Sequence, residues 1–311
     1  MSPQLLLHLV ASVSSLVVIA WHTGPQAFMG ILSRAAQAMI SAQEQMRFHM
    51  ARGALYCQFG EWEEATDAYL TASDWARATR DPLTLGIALN GLGTVLLYRQ
   101  RYELAGQCFR EAVFNLKHTK DHSQYALALH NLGVTYYLLG CYRAALKCLE
   151  KASSIRSELW DVAGEAITLS WMGRVYCSQK QFAYALACYE AAIELAQRKA
   201  VAFDGTWFEA GLRCHIAQLA EQCGHSELAI GHYLDALKLV ESLGIEWSLP
   251  ILQALGQLHE QAENPAMAMY YRQQVLEIAE QVGALSKEGN GVAIAQTLSN
   301  FAPNHPLGLY F

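Results

Sequence analysis

Residues 131–152 read NLGVTYYLLGCYRAALKCLEKA, and the same order of small and bulky residues returns once before this stretch and once after it, at a constant spacing. Gly133 of this stretch has counterparts in Gly93 and Gly173. The other shared slots hold an aromatic residue (Tyr102, Tyr142, Phe182), an alanine (Ala105, Ala145, Ala185), a cysteine (Cys108, Cys148, Cys188), a bulky residue (Phe109, Leu149, Tyr189) and a second alanine (Ala112, Ala152, Ala192). The chain is therefore a tandem repeat.

The order of small and bulky slots predicts pairs of antiparallel helices. Two helices approach closely only where a side chain is small, so Gly133, Ala145 and Ala152 mark close crossings, with bulky residues between them. One such hairpin cannot bury its apolar face alone, and stacked neighbours must cover it. The pattern extends back to Gly53 and forward to a less regular unit at Gly256, which predicts six hairpins over residues 44–286.

This order of glycine, aromatic and alanine slots resembles the tetratricopeptide repeat (TPR), in its longer-repeat branch of kinesin light chain and LGN-type adaptors. The resemblance implies an all-α TPR solenoid, a right-handed superhelix of stacked helical hairpins. We expect three parts: residues 1–43 as an apolar N-terminal helix and lead-in, residues 44–286 as repeats, and residues 287–311 as a C-terminal capping helix and tail, with the helix near Val292–Asn300.

The resemblance also implies a concave groove lined by the first helix of each hairpin. The residues that it places there are Asn90, Thr94, Tyr98, His130, Asn131, Tyr137, Trp171, Arg174, His215 and Gln218. Amide, guanidinium and aromatic groups suit an extended peptide, because amides pair with its backbone while flat rings supply apolar contact. We expect Asn90, Asn131 and Arg174 to share one exposed inner surface. The alternative that Trp171 and Tyr137 only fill the inner wall stays open.

Composition and motifs restrict the function. A formal net charge of −6 disfavours nucleic-acid binding, which needs a concentrated basic surface. The chain holds no recognisable catalytic motif, phosphate-binding loop or zinc signature, so we expect no enzyme activity, no cofactor and no metal site. The eight cysteines form no CxxC pair, and their recurrence with the period indicates packing and reduced thiols in the cytoplasm.

The N-terminus is the one segment that the repeat does not explain. Residues 5–21 are apolar except for His8 and three serines, a length at the lower limit for spanning a bilayer. Three interpretations stay open: a membrane anchor, a helix packed on the first repeat, and a signal peptide. The first two leave the repeats cytoplasmic, because the first arginines follow the apolar run.

Three functions are consistent with the sequence. The leading one is an adaptor that binds a partner protein or peptide in the groove without enzyme activity. The second is a membrane-anchored assembly factor for a membrane complex, resembling the TPR proteins of photosystem biogenesis. The third is a regulator that changes curvature on binding a peptide or small ligand.

Overall fold

The computed structural model describes residues 41–198, 205–241 and 244–285, and helices supply all of its regular structure in these ranges. The twelve α-helices are α1 (Ala42–Phe59), α2 (Trp62–Thr79), α3 (Pro82–Tyr98), α4 (Tyr102–Leu116), α5 (His122–Leu138), α6 (Tyr142–Glu158), α7 (Val162–Ser178), α8 (Phe182–Ala196), α9 (Gly205–Gln222), α10 (Ser226–Val240), α11 (Leu249–Gln261) and α12 (Pro265–Leu285). A short 3₁₀ helix, Ile245–Ser248, precedes α11. The all-α prediction is confirmed, while the N-terminal and C-terminal predictions fall outside the described residues.

Consecutive helices pair as hairpins within two compact units, which divide between Ile155 and Arg156 inside α6. The first unit contains the hairpins α1/α2 and α3/α4, followed by α5 and most of α6. The second contains α7/α8, α9/α10 and α11/α12. Within each unit, the second helix of a hairpin also packs on the first helix of the next.

Three successive hairpins close around a contact between a glycine on the first helix and a bulky side chain on the second. A Cβ on Gly93 would lie 2.7 Å from Cε1 of Phe109, and one on Gly133 would lie 2.7 Å from Cγ of Leu149. In the second unit, a Cβ on Gly173 would lie 2.5 Å from Cε1 of Tyr189. These separations are well inside van der Waals contact, so at these three positions a side chain fits only if the facing side chain moves.

A residue with left-handed backbone follows the first helix of each hairpin, and an aspartate caps the start of three of these first helices. The turns after α1, α3, α5, α7, α9 and α11 each contain one residue of positive φ: Gly60, Gln100, Gly140, Lys180, Gly224 and Glu263. Asp81, Asp121 and Asp161 recur with the period of the repeat and accept hydrogen bonds from backbone N–H groups of α3, α5 and α7. The aspartate caps explain why α3, α5 and α7 begin at equivalent positions of the repeat.

A buried arginine joins the end of α6 to α7 in the second unit. Arg156 Nη1 donates to the carbonyl oxygen of Gly164 at 2.6 Å and to Thr168 Oγ1 at 2.8 Å. Burial lowers the pKa of Arg156, while the Asp161 carboxylate, 3.7 Å away, opposes that shift. The guanidinium stays charged, since arginine titrates far above neutral pH, and its hydrogen bonds compensate its burial.

Replacing the hairpin glycine should destabilise the fold. Gly133→Leu puts a side chain against Leu149 and the backbone oxygen of Ala145, so we expect the free energy of unfolding to fall by about 1–3 kcal/mol or more. Gly231→Leu is the matched control, because a Cβ on Gly231 in α10 meets no atom within 4 Å. Thermal and urea unfolding measure both. Equal stability of Gly133→Leu and wild type would contradict the close crossing.

Candidate functional site

Two asparagines of the predicted groove are buried and bind each other in the first unit. Asn90 of α3 and Asn131 of α5 are 7% and 4% exposed. Asn131 Nδ2 donates to Asn90 Oδ1 at 3.1 Å, so the amides join the first helices of successive hairpins. Thr94 Oγ1 donates to the backbone oxygen of Asn90, and Thr94 is 9% exposed. The expectation of exposed amides at Asn90 and Asn131 is therefore wrong, because each amide has the other as a partner.

The remaining first-unit residues of the predicted groove are one buried imidazole and two half-buried phenols. His130 of α5 is only 2% exposed. Tyr98 at the end of α3 stacks on Trp62, with ring centroids 4.9 Å apart, and Tyr137 of α5 contacts Tyr142 at 6.0 Å. Burial raises the pKa of Tyr98 to about 12. The two tyrosines therefore leave part of each ring at the surface beside the turns that close their hairpins.

The second unit brings the other predicted residues into one connected group, which we call the Trp171 cluster. Its members are Trp171, Arg174 and Cys177 of α7, Tyr189 of α8, and His215 and Gln218 of α9. The guanidinium carbon of Arg174 lies 4.2 Å from the centroid of the Trp171 ring, and Trp171 itself is 1% exposed. Tyr189 stacks on His215 with ring centroids 5.6 Å apart. Helices α7 and α9 thus supply a guanidinium, an imidazole and an amide, and α8 adds the Tyr189 ring between them.

Polar contacts hold the members of the Trp171 cluster in place. The Tyr189 hydroxyl lies 3.8 Å from Cys177 Sγ, and His215 Nδ1 lies 3.4 Å from Gln218 Oε1. Burial and the positive charge of Arg174 lower the pKa of His215 to about 4, against a smaller opposing effect of the Gln218 hydrogen bond. The imidazole is therefore neutral at pH 7, and it offers both a donor and an acceptor nitrogen.

Other classes of site find no support in the part of the chain that the structure describes. Within it, no group of three or more histidine, cysteine, aspartate or glutamate side chains could hold a metal ion. No helix of the described ranges is long and apolar enough to cross a membrane, and residues 5–21 lie outside those ranges. None of the eight cysteines, all of which lie in the described ranges, forms a disulfide, and burial raises the pKa of Cys57 and of Cys214 to about 12. These two thiols are protonated at pH 7, as packing side chains are.

Comparisons with known proteins agree with this architecture. Residues 84–158 match the tetratricopeptide repeat family. Residues 84–158 therefore carry tetratricopeptide repeats. Residues 19–101 also match the family described as anaphase-promoting complex subunit 5. No curated protein matches this sequence.

Solved TPR structures share the fold at low sequence identity. The apo form of RapI has a TM-score of 0.63 and 14% identity, over 86% of this chain and 96% of RapI. BtubC (BKLC) from P. vanneervenii has a TM-score of 0.61 and 18% identity, over 71% of this chain and 92% of BtubC. A Rap protein complexed with Competence and Sporulation Factor has a TM-score of 0.54 and 12% identity, over 90% of this chain and 88% of the Rap protein. Identities this low show the fold alone.

The slot pattern of the repeat contains a signal that could have located part of the Trp171 cluster from the sequence. The slot two residues before the glycine holds Gly91 in the second repeat and His215 in the fifth. Gly91 faces Tyr69 of α2, and His215 faces Tyr189 of α8, so this slot contacts the bulky residue of the preceding hairpin. The sequence reasoning assigned Tyr189 to packing alone. Tyr189 also contacts His215 of the next hairpin. This contact depends on how neighbouring hairpins pack, and the sequence did not reveal it.

Single and double replacement of the asparagine pair should differ in cost. Asn90→Ala leaves the buried Asn131 amide without its partner, and we expect a loss of about 1–3 kcal/mol of stability. Asn131→Ala should cost a similar amount, while the double variant should lose clearly less than the sum. Urea unfolding of the four proteins measures this coupling. Strict additivity would contradict the hydrogen bond between the two amides.

The stability of the protein should depend on the protonation of His215. The pKa of His215 is about 4 in the folded chain and about 6.5 in the unfolded chain. Between these pH values the unfolded chain binds more protons than the folded chain, so lowering the pH favours unfolding. The stability that the neutral His215 contributes is therefore complete above about pH 6.5 and is lost as the pH falls toward 4. His215→Gln should show a shallower fall in urea midpoint over that range. His118→Gln, on an exposed turn, is the control, and an unchanged slope in His215→Gln would refute the assignment.

Proposed function

We propose that this protein is a non-enzymatic scaffold that binds a segment of a partner polypeptide on the first helices of its hairpins. The observation that carries the proposal is the Trp171 cluster, which gathers a guanidinium, a neutral imidazole and an amide beside aromatic rings. Packing alone does not require such groups on α7 and α9, whereas a bound peptide presents backbone and side-chain polar atoms that they can bind.

The cation–π contact makes Arg174 a suitable anchor. The Trp171 ring lies against one face of the guanidinium and restricts its rotation, so less side-chain entropy is lost when a ligand binds. A guanidinium donates to peptide carbonyl groups and, in bidentate form, to carboxylates. Arginine and aromatic side chains are also the residue types that contribute most energy at protein interfaces. We therefore assign Arg174 the largest single contribution to partner binding.

The first unit, taken by itself, offers tyrosines as a contact surface for such a segment. Tyr98 and Tyr137 are partly exposed, and each packs against another aromatic ring of the same unit. Rings fixed in this way give flat apolar contact at low entropy cost. Asn90 and Asn131 hold each other, so they take part in binding only if a ligand replaces their mutual hydrogen bond.

The similar structures and the cysteines support the proposal. A Rap protein of the same fold is complexed with Competence and Sporulation Factor, so this fold is compatible with holding a partner. Eight cysteines without a disulfide suit a reducing compartment, and we place the repeats in the cytoplasm on that ground. The alternatives of a membrane-anchored assembly factor and a ligand-responsive regulator have no feature in the described ranges that favours them.

The proposal predicts that Arg174→Ala loses partner binding and keeps the fold. Wild type, Arg174→Ala and the control Arg110→Ala, each as full-length tagged protein, are used to recover bound proteins from the cells that produce this chain. Arg110 is an exposed arginine of α4, a second helix, so it matches the change in charge and size. We expect partners common to wild type and Arg110→Ala to drop about tenfold or more with Arg174→Ala, as for an interface hot spot.

Stability measurements separate a lost partner from a lost fold. Arg174→Ala should keep the helical circular dichroism of wild type and a similar thermal midpoint, because Arg174 is partly exposed. If Arg174→Ala and wild type recover the same partners in equal amounts, the Trp171 cluster is not the binding surface.

A further inference from the structure

The turn between α6 and α7 presents the most exposed large apolar side chain in the part of the chain that the structure describes. Trp160 is 84% exposed, and its neighbour Leu159 is 44% exposed. In the two preceding repeats the slot of Trp160 holds Arg80 and Lys120, side chains that water solvates well. The repeat forms this turn with a cation in the same slot, so it does not require an apolar ring there.

The backbone conformation at Trp160 is also unfavourable for a bulky side chain. Its φ of 58° lies in the left-handed region, where a large residue is an outlier. The other non-glycine residues of positive φ in the described ranges have long, flexible polar side chains: Arg80, Gln100, Lys180 and Glu263. Because the Trp160 ring is exposed, it gains no burial that could offset this strain. Strained residues of this kind are concentrated at binding sites.

Hydrogen bonds hold the turn in this conformation. The Trp160 N–H donates to the carbonyl oxygen of Ser157 at 3.1 Å, and the Asp161 N–H donates to that of Arg156 at 2.9 Å. Asp161 Oδ1 accepts from the Gly164 N–H at 3.0 Å, and the buried Arg156 guanidinium lies 3.7 Å from Asp161 Oδ2. The turn is therefore fixed before a ligand arrives, which lowers the entropy cost of binding at Trp160.

The exposed charges beside Trp160 in the chain are negative. Glu158 is exposed, and Glu165 is partly exposed in the first turn of α7. Among the described residues, neither carboxylate has an ion-pair partner. The one cation of residues 156–165 is Arg156, which is only 6% exposed. This surface therefore attracts a cationic group and repels an anionic one, such as a nucleic acid or an anionic lipid surface.

We propose that Trp160 and the carboxylates beside it bind an arginine side chain of a partner polypeptide. A tryptophan ring attracts a cation to its face, and a planar guanidinium can stack there while its N–H groups donate to carboxylates. The same unit already contains such a stack, since the guanidinium carbon of Arg174 lies 4.2 Å from the centroid of the Trp171 ring. Trp160 is not a member of the Trp171 cluster, so this inference goes beyond the proposed function and does not depend on it.

Peptide selection on the full-length chain tests the chemistry of the ligand. Random dodecapeptides displayed on phage are first depleted of those that bind Trp160→Gly and are then selected on wild type. We expect arginine to be the most enriched residue type in the peptides that remain. Glycine accepts left-handed backbone, so Trp160→Gly should keep the fold, with a thermal midpoint at least as high as that of wild type.

Titration of one selected synthetic peptide then measures each contribution. Trp160→Ala should bind it about tenfold more weakly, as for an interface hot spot. Glu158→Gln combined with Glu165→Gln should bind it about two- to tenfold more weakly, and added salt should weaken binding by wild type. A peptide with citrulline in place of arginine should lose binding to wild type. The control Phe114→Ala removes a 77% exposed aromatic residue of α4 and should bind as wild type does.

Several results would overturn the proposal. These are no peptide that distinguishes wild type from Trp160→Gly, enrichment of apolar or acidic peptides, equal binding of the citrulline peptide, or a lower thermal midpoint for Trp160→Gly, which would make the ring structural. Two other occupants have their own signatures. A dimer by analytical ultracentrifugation that Trp160→Gly dissociates would identify a second copy of the chain, and binding to phosphatidylcholine vesicles that Trp160→Gly loses would identify a membrane. Either result also overturns it.

Discussion

A close contact between a helix glycine and the bulky side chain that crosses it sets the geometry of the hairpins, and the rest of the structure depends on it. At Gly93, Gly133 and Gly173 a single methyl group would overlap the partner residue. The contact fixes the distance and the register of each of these hairpins, so the alanines of the second helix are fully buried at the positions where the helices cross. Because the unit recurs at a constant period, the same constraint is applied again in successive hairpins.

The candidate site depends on the same contact. Tyr189 packs on Gly173, stacks on His215 and approaches Cys177 with its hydroxyl, so one side chain belongs both to the hairpin core and to the Trp171 cluster. Tyr69 has an equivalent position in the first unit, between Gly53 and Gly91, and its hydroxyl interacts with Cys57. The second unit places an imidazole where the first has Gly91. With His215 in this slot, a position that only packs in the first unit carries polar atoms in the second.

Predictions from the sequence were correct where a residue type has a single structural role, as small residues have at helix crossings. Glycine and alanine at fixed spacing predicted the helix crossings. Prediction failed for Asn90 and Asn131, which were expected at an exposed surface. The two asparagines are not in the same slot relative to Gly93 and Gly133, and this offset brings their amides together across adjacent first helices, where they satisfy each other. A pattern of slots gives the helix face of a residue, but it does not give the partner of its polar atoms.

The sequence by itself determined the all-α repeat, the pairing of the helices and their approximate boundaries, because these follow from local periodicity and from the size of single side chains. Only the tertiary structure decided that Asn90 and Asn131 are buried partners, that Arg174 lies over Trp171, that His215 is held neutral, and that Arg156 binds the start of α7. The physical reason is that burial and hydrogen bonding depend on residues of other helices, whose approach is set by packing. The contacts of Asn90 with Asn131 and of His215 with Tyr189 join residues far apart in the sequence, and the period alone does not specify them.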